Sequence, residues 1–263
     1  MHDPLEGVTS LGTIETGASR DRVPALFEPV LDSAVVAVRA ADRDASLYLY
    51  GSVATGTAQA GRSDVDLLTV RLLAGEAAAI GRALSLRFSD LCRAVQVAAA
   101  QPSDFLGETD DAYGGRAFLR HYCVHLAGPD LHSALPDFSA DVRAARGFNG
   151  DIAQHAHRWW RELEEGCDPV QLSRRLARKS LLAVAGLVSV HDATWTTDRT
   201  AAAARWAGLE PTLANDLHML LIWASGSETP DRYAVEAALG GVVAQIVASF
   251  ETTIGLWNSG DGQ

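Results

Sequence analysis

The 263 residues suffice for one large or two modest domains with a real core, and a hydrophobic content of 48% excludes a disordered chain. A formal net charge of −11 argues against DNA or RNA as partner, because phosphate backbones call for a basic footprint. It suits a small or cationic ligand.

No apolar run reaches the roughly 18 residues of a membrane span. The opening MHDPLEGVTSLG lacks the basic-then-apolar order of a secretory signal. These features lead us to expect a cytoplasmic protein with no membrane partner. The three cysteines, Cys92, Cys123 and Cys167, are odd in number and lack metal-ligand spacing, so reduced, buried thiols are expected.

In chain order, residues 1–21 carry no periodicity and read as a mobile tail. From Arg22 to Asp42, Val23, Leu26, Phe27, Val30, Leu31, Ala34, Val35 and Val38 recur at helical spacing. A strand is expected over 46–50 and a second over 65–72. A helix is expected over 75–89 and a third strand over 93–99. The polar segment 101–113 reads as a loop. A helix near 115–121 and a short strand over 123–127 follow.

After about residue 136 the strand-like runs stop. Helices are expected over 139–165, 169–191, 199–207, 211–224 and 230–256. Asp168-Pro169 has the chemistry of a helix start, with Asp as cap and Pro in the first turn. The implied organisation is a tail (1–21), a mixed α+β domain (22–136) and an all-helical bundle (137–263).

The most informative stretch is YGSVATGTAQAGRSDVDLL, residues 50–68. An apolar run ends in Gly51-Ser52, a small flexible connection follows, and a second apolar run opens with Asp64 and Asp66. In a strand, residues i and i+2 point to the same face. Two carboxylates side by side repel each other unless a cation lies between them. The simplest reading is a divalent cation, Mg²⁺, beside a Gly-Ser turn that holds a phosphate.

Gly51-Ser52, a short gap, then Asp64-Val65-Asp66-Leu67 resembles the nucleotidyltransferase superfamily related to DNA polymerase β. The helical second half, VHLAGPDL (124–131) and the Ala-rich segment ending in Arg205-Trp206-Ala207 resemble the aminoglycoside adenylyltransferase type within it. The resemblance implies a polymerase β-like catalytic domain followed by a helical bundle. It further implies Mg²⁺-dependent transfer of a nucleoside monophosphate, AMP from ATP, to a hydroxyl of a small-molecule acceptor that is aminoglycoside-like.

Under it, Asp64 and Asp66 are the catalytic metal ligands. Gly51 lets the backbone approach a phosphate, and Ser52 donates to it. Ser63 and Arg62 are further candidates at the nucleotide, although Ser63 also suits a turn-shaping role and Arg62 a plain exposed loop position. In the helical half, Arg174, Arg175, Arg178 and Lys179 share two faces of one helix. Arg178 and Lys179 are candidates for the triphosphate; the alternative is a solvated basic face paired with Glu162, Glu164 and Glu165.

The superfamily usually brings a third carboxylate from a later strand. The matching position is Gln96, which is neutral and a poor Mg²⁺ ligand. Three readings follow: slower chemistry on two carboxylates, substitution by Asp90, Asp104, Glu108, Asp110 or Asp111, or a nucleotide-binding regulatory or interaction protein with little transfer. A transferase acting on a protein partner in a toxin–antitoxin pair is a further alternative, because the phosphate machinery would be the same.

Overall fold

In the computed structural model, which describes residues 3–257, the first half is built on a four-stranded mixed sheet. Its strands are β3 (Ser46–Tyr50), β4 (Val65–Val70), β5 (Val95–Ala100) and β6 (Val124–Ala127), in the spatial order β5-β4-β3-β6. β3 runs antiparallel to β4 and β6, and β4 runs parallel to β5. β4 is central. That explains its nearly unbroken apolar run, since a strand covered on both faces has no solvent face to keep polar.

One face of this sheet carries Leu47, Leu49, Val65, Leu67 and Val95, buried with helix α1 (Glu28–Ala41) and Leu84 of helix α3 (Ala74–Arg87). Val30, Leu31, Ala34 and Val38 form the buried stripe of α1. The other face carries Tyr48, Leu68 and Val70 against Leu119 of α4 (Asp110–Tyr122) and Cys123. α2 is the single turn Gly51–Ala54 that follows β3. α4 starts earlier than the sequence suggests, at Asp110, because Thr109 caps it by accepting from the Ala112 N–H.

The segment expected to be a mobile tail is instead structured over its described residues. Strands β1 (Gly7–Val8) and β2 (Ile14–Glu15) pair with each other. Ile14 is buried and its N–H donates to the Phe138 carbonyl at 2.9 Å. The Tyr122 hydroxyl donates to Glu6 at 2.8 Å. Strands two residues long leave no periodicity to read, so only their long-range partners reveal them.

The chain divides into two compact units, the first running to Ser139 and the second from Ala140. The described part of the second unit is helical: α5 (Val142–Asn149), α6 (Ile152–Glu164), α7 (Pro169–His191), α8 (Arg199–Leu209), α9 (Ala214–Ser225), α10 (Arg232–Ala238) and α11 (Ala244–Thr253). α7 is the core helix, and α5, α6, α8, α9, α10 and α11 all pack on it. Asp168 caps it as the sequence suggests, accepting from the Val170 N–H at 3.0 Å.

The expected helix 139–165 is two helices. They break at Gly150, where a Cβ would lie 2.4 Å from the Trp257 ring, and the Trp257 indole N–H donates to the Arg146 carbonyl. The expected helix 230–256 is interrupted by a π-helical turn, Leu239–Val243, at Gly240-Gly241. By length and composition Arg232–Thr253 could cross a membrane. Its apolar residues Val235, Leu239, Val243, Ile246 and Phe250 are instead buried within this unit.

Candidate functional site

Strand pairing assembles the candidate site. Asp66 lies opposite Tyr50 on the antiparallel side and opposite Gln96 on the parallel side. Paired residues share a face, so Tyr50, Asp66 and Gln96 form one row across the sheet on the α4 side. Tyr50 stacks edge-on against Phe118 of α4, with ring centroids 5.2 Å apart. Burial, and then the neighbouring Asp66 charge, push the Tyr50 phenol well above its usual range and keep it neutral.

Gly51 turns the chain directly over Asp66. Its φ is +73°, and a Cβ there would lie 2.6 Å from Asp66 Oδ2. Two independent constraints therefore require glycine: the left-handed backbone and the close approach to the carboxylate. Ser52 is the next residue of the same turn, and its carbonyl accepts from the Thr57 N–H at 2.9 Å.

The connection to β4 is tied down at both ends. Arg22 Nε donates to the Thr55 carbonyl at 3.0 Å. Ser63 is buried, and its hydroxyl accepts from the Gln59 N–H at 2.9 Å. That bond gives Ser63 the turn-shaping role. Arg62 beside it is exposed.

The backbone ladder continues upstream of the strands. The Arg93 N–H donates to the Ser63 carbonyl at 3.0 Å and the Val65 N–H to the Ala94 carbonyl at 2.9 Å. This sets Arg93 beside Asp64. Arg93 Nε donates to Asp64 Oδ1 at 2.9 Å, and Nη2 donates to Oδ2 in a second, short bond. The Gln96 amide donates to the same Oδ2 at 3.2 Å.

The Asp64 side chain is only 10% exposed, whereas that of Arg93 is 60% exposed. The bond to Asp64 holds the Arg93 guanidinium above its already high range. Sequence reasoning missed Arg93. Its signal was the β4–β5 register, which no periodicity encodes.

Gln96 is thus paired with Asp66 in register and bonded to Asp64. The proposed substitute acids do not complete a metal cluster. Among the described residues no group of three or more His, Cys, Asp or Glu is arranged to hold a metal. Asp104 accepts from the Gln101 N–H at 2.7 Å and caps a short turn. Asp90 lies exposed after α3. Asp110 and Asp111 open α4. The donor set that remains is Asp64 and Asp66. It fits one Mg²⁺, an ion commonly held by one or two carboxylates together with substrate phosphates.

In the second unit the basic residues of α7 have partners of their own. Arg175 pairs with Glu162 at 2.5 Å, as the solvated-face alternative expects. Arg178 Nε donates to the Ala224 carbonyl at 3.1 Å, at the C-terminal end of α9. Lys179 Nζ bonds the Phe148 carbonyl at 3.2 Å and meets Asp151 at 2.6 Å. Burial raises the Asp151 carboxyl, but the bond from His155 and the nearby Lys179 charge outweigh it, so the net shift is downward. Arg199, at the start of α8, is half-buried. Burial first, and then the Arg178 charge, lower its pKa. Arg199 was not singled out from the sequence, because a lone arginine after Asp198 carries no spacing signal.

Cys92, Cys123 and Cys167 are all free thiols; Cys92 and Cys123 are buried as expected, whereas Cys167 is only partly buried.

Residues 32–71 match the family model described as nucleotidyltransferase domain. That segment contains Gly51, Ser52, Asp64 and Asp66 and ends before Gln96. No curated protein sequence matches the chain. Among solved structures, the spectinomycin adenyltransferase AAD(9) from Enterococcus faecialis, determined with ATP and spectinomycin, is similar to it. The TM-score is 0.52 at 11% identity, over 85% of this chain and 99% of that one. The nucleotidyltransferase-domain match thus lies on the residues of the candidate site, and the chain shares the fold of that adenyltransferase across most of its length.

Proposed function

We propose that this nucleotidyltransferase moves AMP from ATP to a hydroxyl group of a small-molecule acceptor, with Asp64 and Asp66 holding one Mg²⁺. The observation that carries the reading is Gly51 turning over the Asp66 carboxylate with no room for a side chain. That packing brings the Gly-Ser backbone and the carboxylate pair into one place, where a triphosphate and its cation would meet. The structural neighbour's ATP and spectinomycin support ATP and a small acceptor. The net charge of −11 supports a cationic acceptor over a nucleic acid.

In the transfer, the acceptor oxygen attacks the α-phosphorus in line. The new P–O bond forms as the bond to the α–β bridging oxygen breaks, pyrophosphate leaves with the electron pair, and the acceptor hydroxyl gives its proton to solvent water. Asp64 and Asp66 would hold the Mg²⁺, which would neutralise charge on the triphosphate. Ser52 donates its hydroxyl and N–H to phosphate oxygens. Ser63 keeps the turn in shape through Gln59. Arg62, exposed beside Ser63, stays a candidate for the outer phosphates. Arg178 lies beside the half-buried Arg199, and an anion would relieve that like-charge pair. Lys179 is a weaker candidate, since Asp151 and Phe148 already engage its ammonium.

The Gln96 amide has no basic site, so the acceptor proton does not leave through position 96. This favours a second reading: a nucleotide-binding regulatory or interaction protein with weak transfer. Pyrophosphate release, measured with each NTP and Mg²⁺ against a panel of aminoglycoside and aminocyclitol acceptors, separates the two. The transferase reading expects acceptor-dependent release with ATP that is lost in Asp64→Asn and Asp66→Asn. Nucleotide binding by calorimetry with no release from any acceptor would replace it with the second reading.

A further inference from the structure

We propose that Arg93 is a built-in cation of the metal site, and that a divalent ion reaches Asp64 only by displacing its guanidinium. This rests on the reading of Asp64 and Asp66 as the metal-binding pair. It adds an opponent that neither the motif nor the matched segment 32–71 contains.

A carboxylate offers about four lone-pair positions. Arg93 engages both oxygens of Asp64, Nε on Oδ1 at 2.9 Å and Nη2 on Oδ2. The Gln96 amide takes a third position, on Oδ2 at 3.2 Å. The side chain is 10% exposed, so little of it is left to solvent or to an ion. The one position left lies beside the guanidinium, whose charge repels a cation, so an ion that takes Asp64 as a full ligand displaces a charge-assisted bond of a planar fork.

Position 96 belongs to the same device. A carboxylate there would repel Asp64, whereas an amide can donate to it. Asp64, Arg93 and Gln96 thus form a set whose charge and hydrogen bonds are satisfied without an external cation. Arg93 is free to swing away, because its own side chain is 60% exposed and its backbone is fixed separately by the Ser63 carbonyl.

The consequence is a metal site closed by an arginine latch. Free Mg²⁺ binds weakly, and a metal–nucleotide complex, whose phosphates give the released guanidinium a new partner, binds much better.

The test is Mn²⁺ alone, titrated by electron paramagnetic resonance into the full chain without nucleotide. Wild type is compared with Arg93→Met, Arg93→Lys and the charge control Arg87→Gln, an exposed arginine of α3 lying over Phe88. We expect Arg93→Met to tighten Mn²⁺ binding about tenfold or more. Arg93→Lys should fall between it and wild type, and Arg87→Gln should change it less than about twofold. Thermal unfolding adds a second readout: Arg93→Met should melt below wild type without metal and recover on adding Mn²⁺, while wild type barely responds.

Equal affinities for wild type and Arg93→Met, weaker binding in Arg93→Met, or a shift matched by Arg87→Gln would overturn the inference. So would no Mn²⁺ binding by any of the four proteins. Calorimetry of wild type with ATP and Mg²⁺ keeps the two readings apart. Nucleotide binding without an Arg93 effect on Mn²⁺ removes only the latch, and Mn²⁺ behaviour as expected without nucleotide binding removes only the transferase.

Discussion

A Cβ at Gly51 would lie 2.6 Å from Asp66 Oδ2, closer than real carbon–oxygen packing allows. The turn after β3 and the carboxylate on β4 therefore constrain each other, and the two halves of the sequence motif are one structural object.

Gly51→Ala should lose both fold stability and activity. Left-handed backbone costs a non-glycine residue about 1–2 kcal/mol, and the crowded carboxylate must also move. Gly61 is the internal control: its φ is +70° but a Cβ there meets nothing within 4 Å. Gly61→Ala should show the backbone cost alone. Urea unfolding of both variants, together with pyrophosphate release, separates strain from displacement of Asp66; equal losses in the two would show that Asp66 is not crowded.

Gln96→Glu should convert the satisfied set into a cluster that needs a cation. Three carboxylates would face one arginine, so like-charge repulsion should lower stability by about 1 kcal/mol without metal. Divalent ions should restore it, and turnover should rise. Differential scanning calorimetry with and without Mg²⁺ reads the first effect and steady-state assay the second. An unchanged melting point under both conditions would mean that the side chain at 96 does not reach Asp64.

His121 should make the first unit acid-sensitive. Burial, despite the nearby Asp137, lowers its pKa from 6.5 to about 4, and its neutral Nε2 accepts from the Phe138 N–H at 2.8 Å. The unfolded chain binds the proton more readily than the folded one, so this contribution is complete above pH 6.5. It is lost progressively as pH falls from 6.5 towards 4. With solvent screening of a partly exposed ring, the loss is about 1–2 kcal/mol. Denaturant unfolding at a series of pH values should show the slope, and His121→Gln, which keeps an acceptor but cannot titrate there, should flatten it.

Lys179→Met should destabilise the second unit by about 2–3 kcal/mol, because it leaves a largely buried Asp151 with only His155 as cationic partner. The double variant Lys179→Met/Asp151→Leu should recover most of that loss in urea unfolding. If Lys179 instead serves the nucleotide, the double variant would refold well and still lose ATP affinity, measured by calorimetry.

The sequence by itself determined the local grammar of the chain. β3 matched its expected bounds because an apolar run ending in Gly-Ser leaves no alternative. α7 matched because Asp168-Pro169 sets its start. The carboxylate pair was legible because Asp64 and Asp66 are two residues apart where β4 begins. The break at Gly150 has its partner, Trp257, far along the chain, and the paired β1–β2 segment shows itself only through long-range contacts.

The tertiary structure alone decided what Asp64 touches. Arg93 is 29 residues away, and only the parallel register of β4 against β5 brings its guanidinium to both carboxylate oxygens. Periodicity reports which face a residue occupies, whereas register reports which residue lies beside it. Register is set by how whole strands bury their apolar faces together.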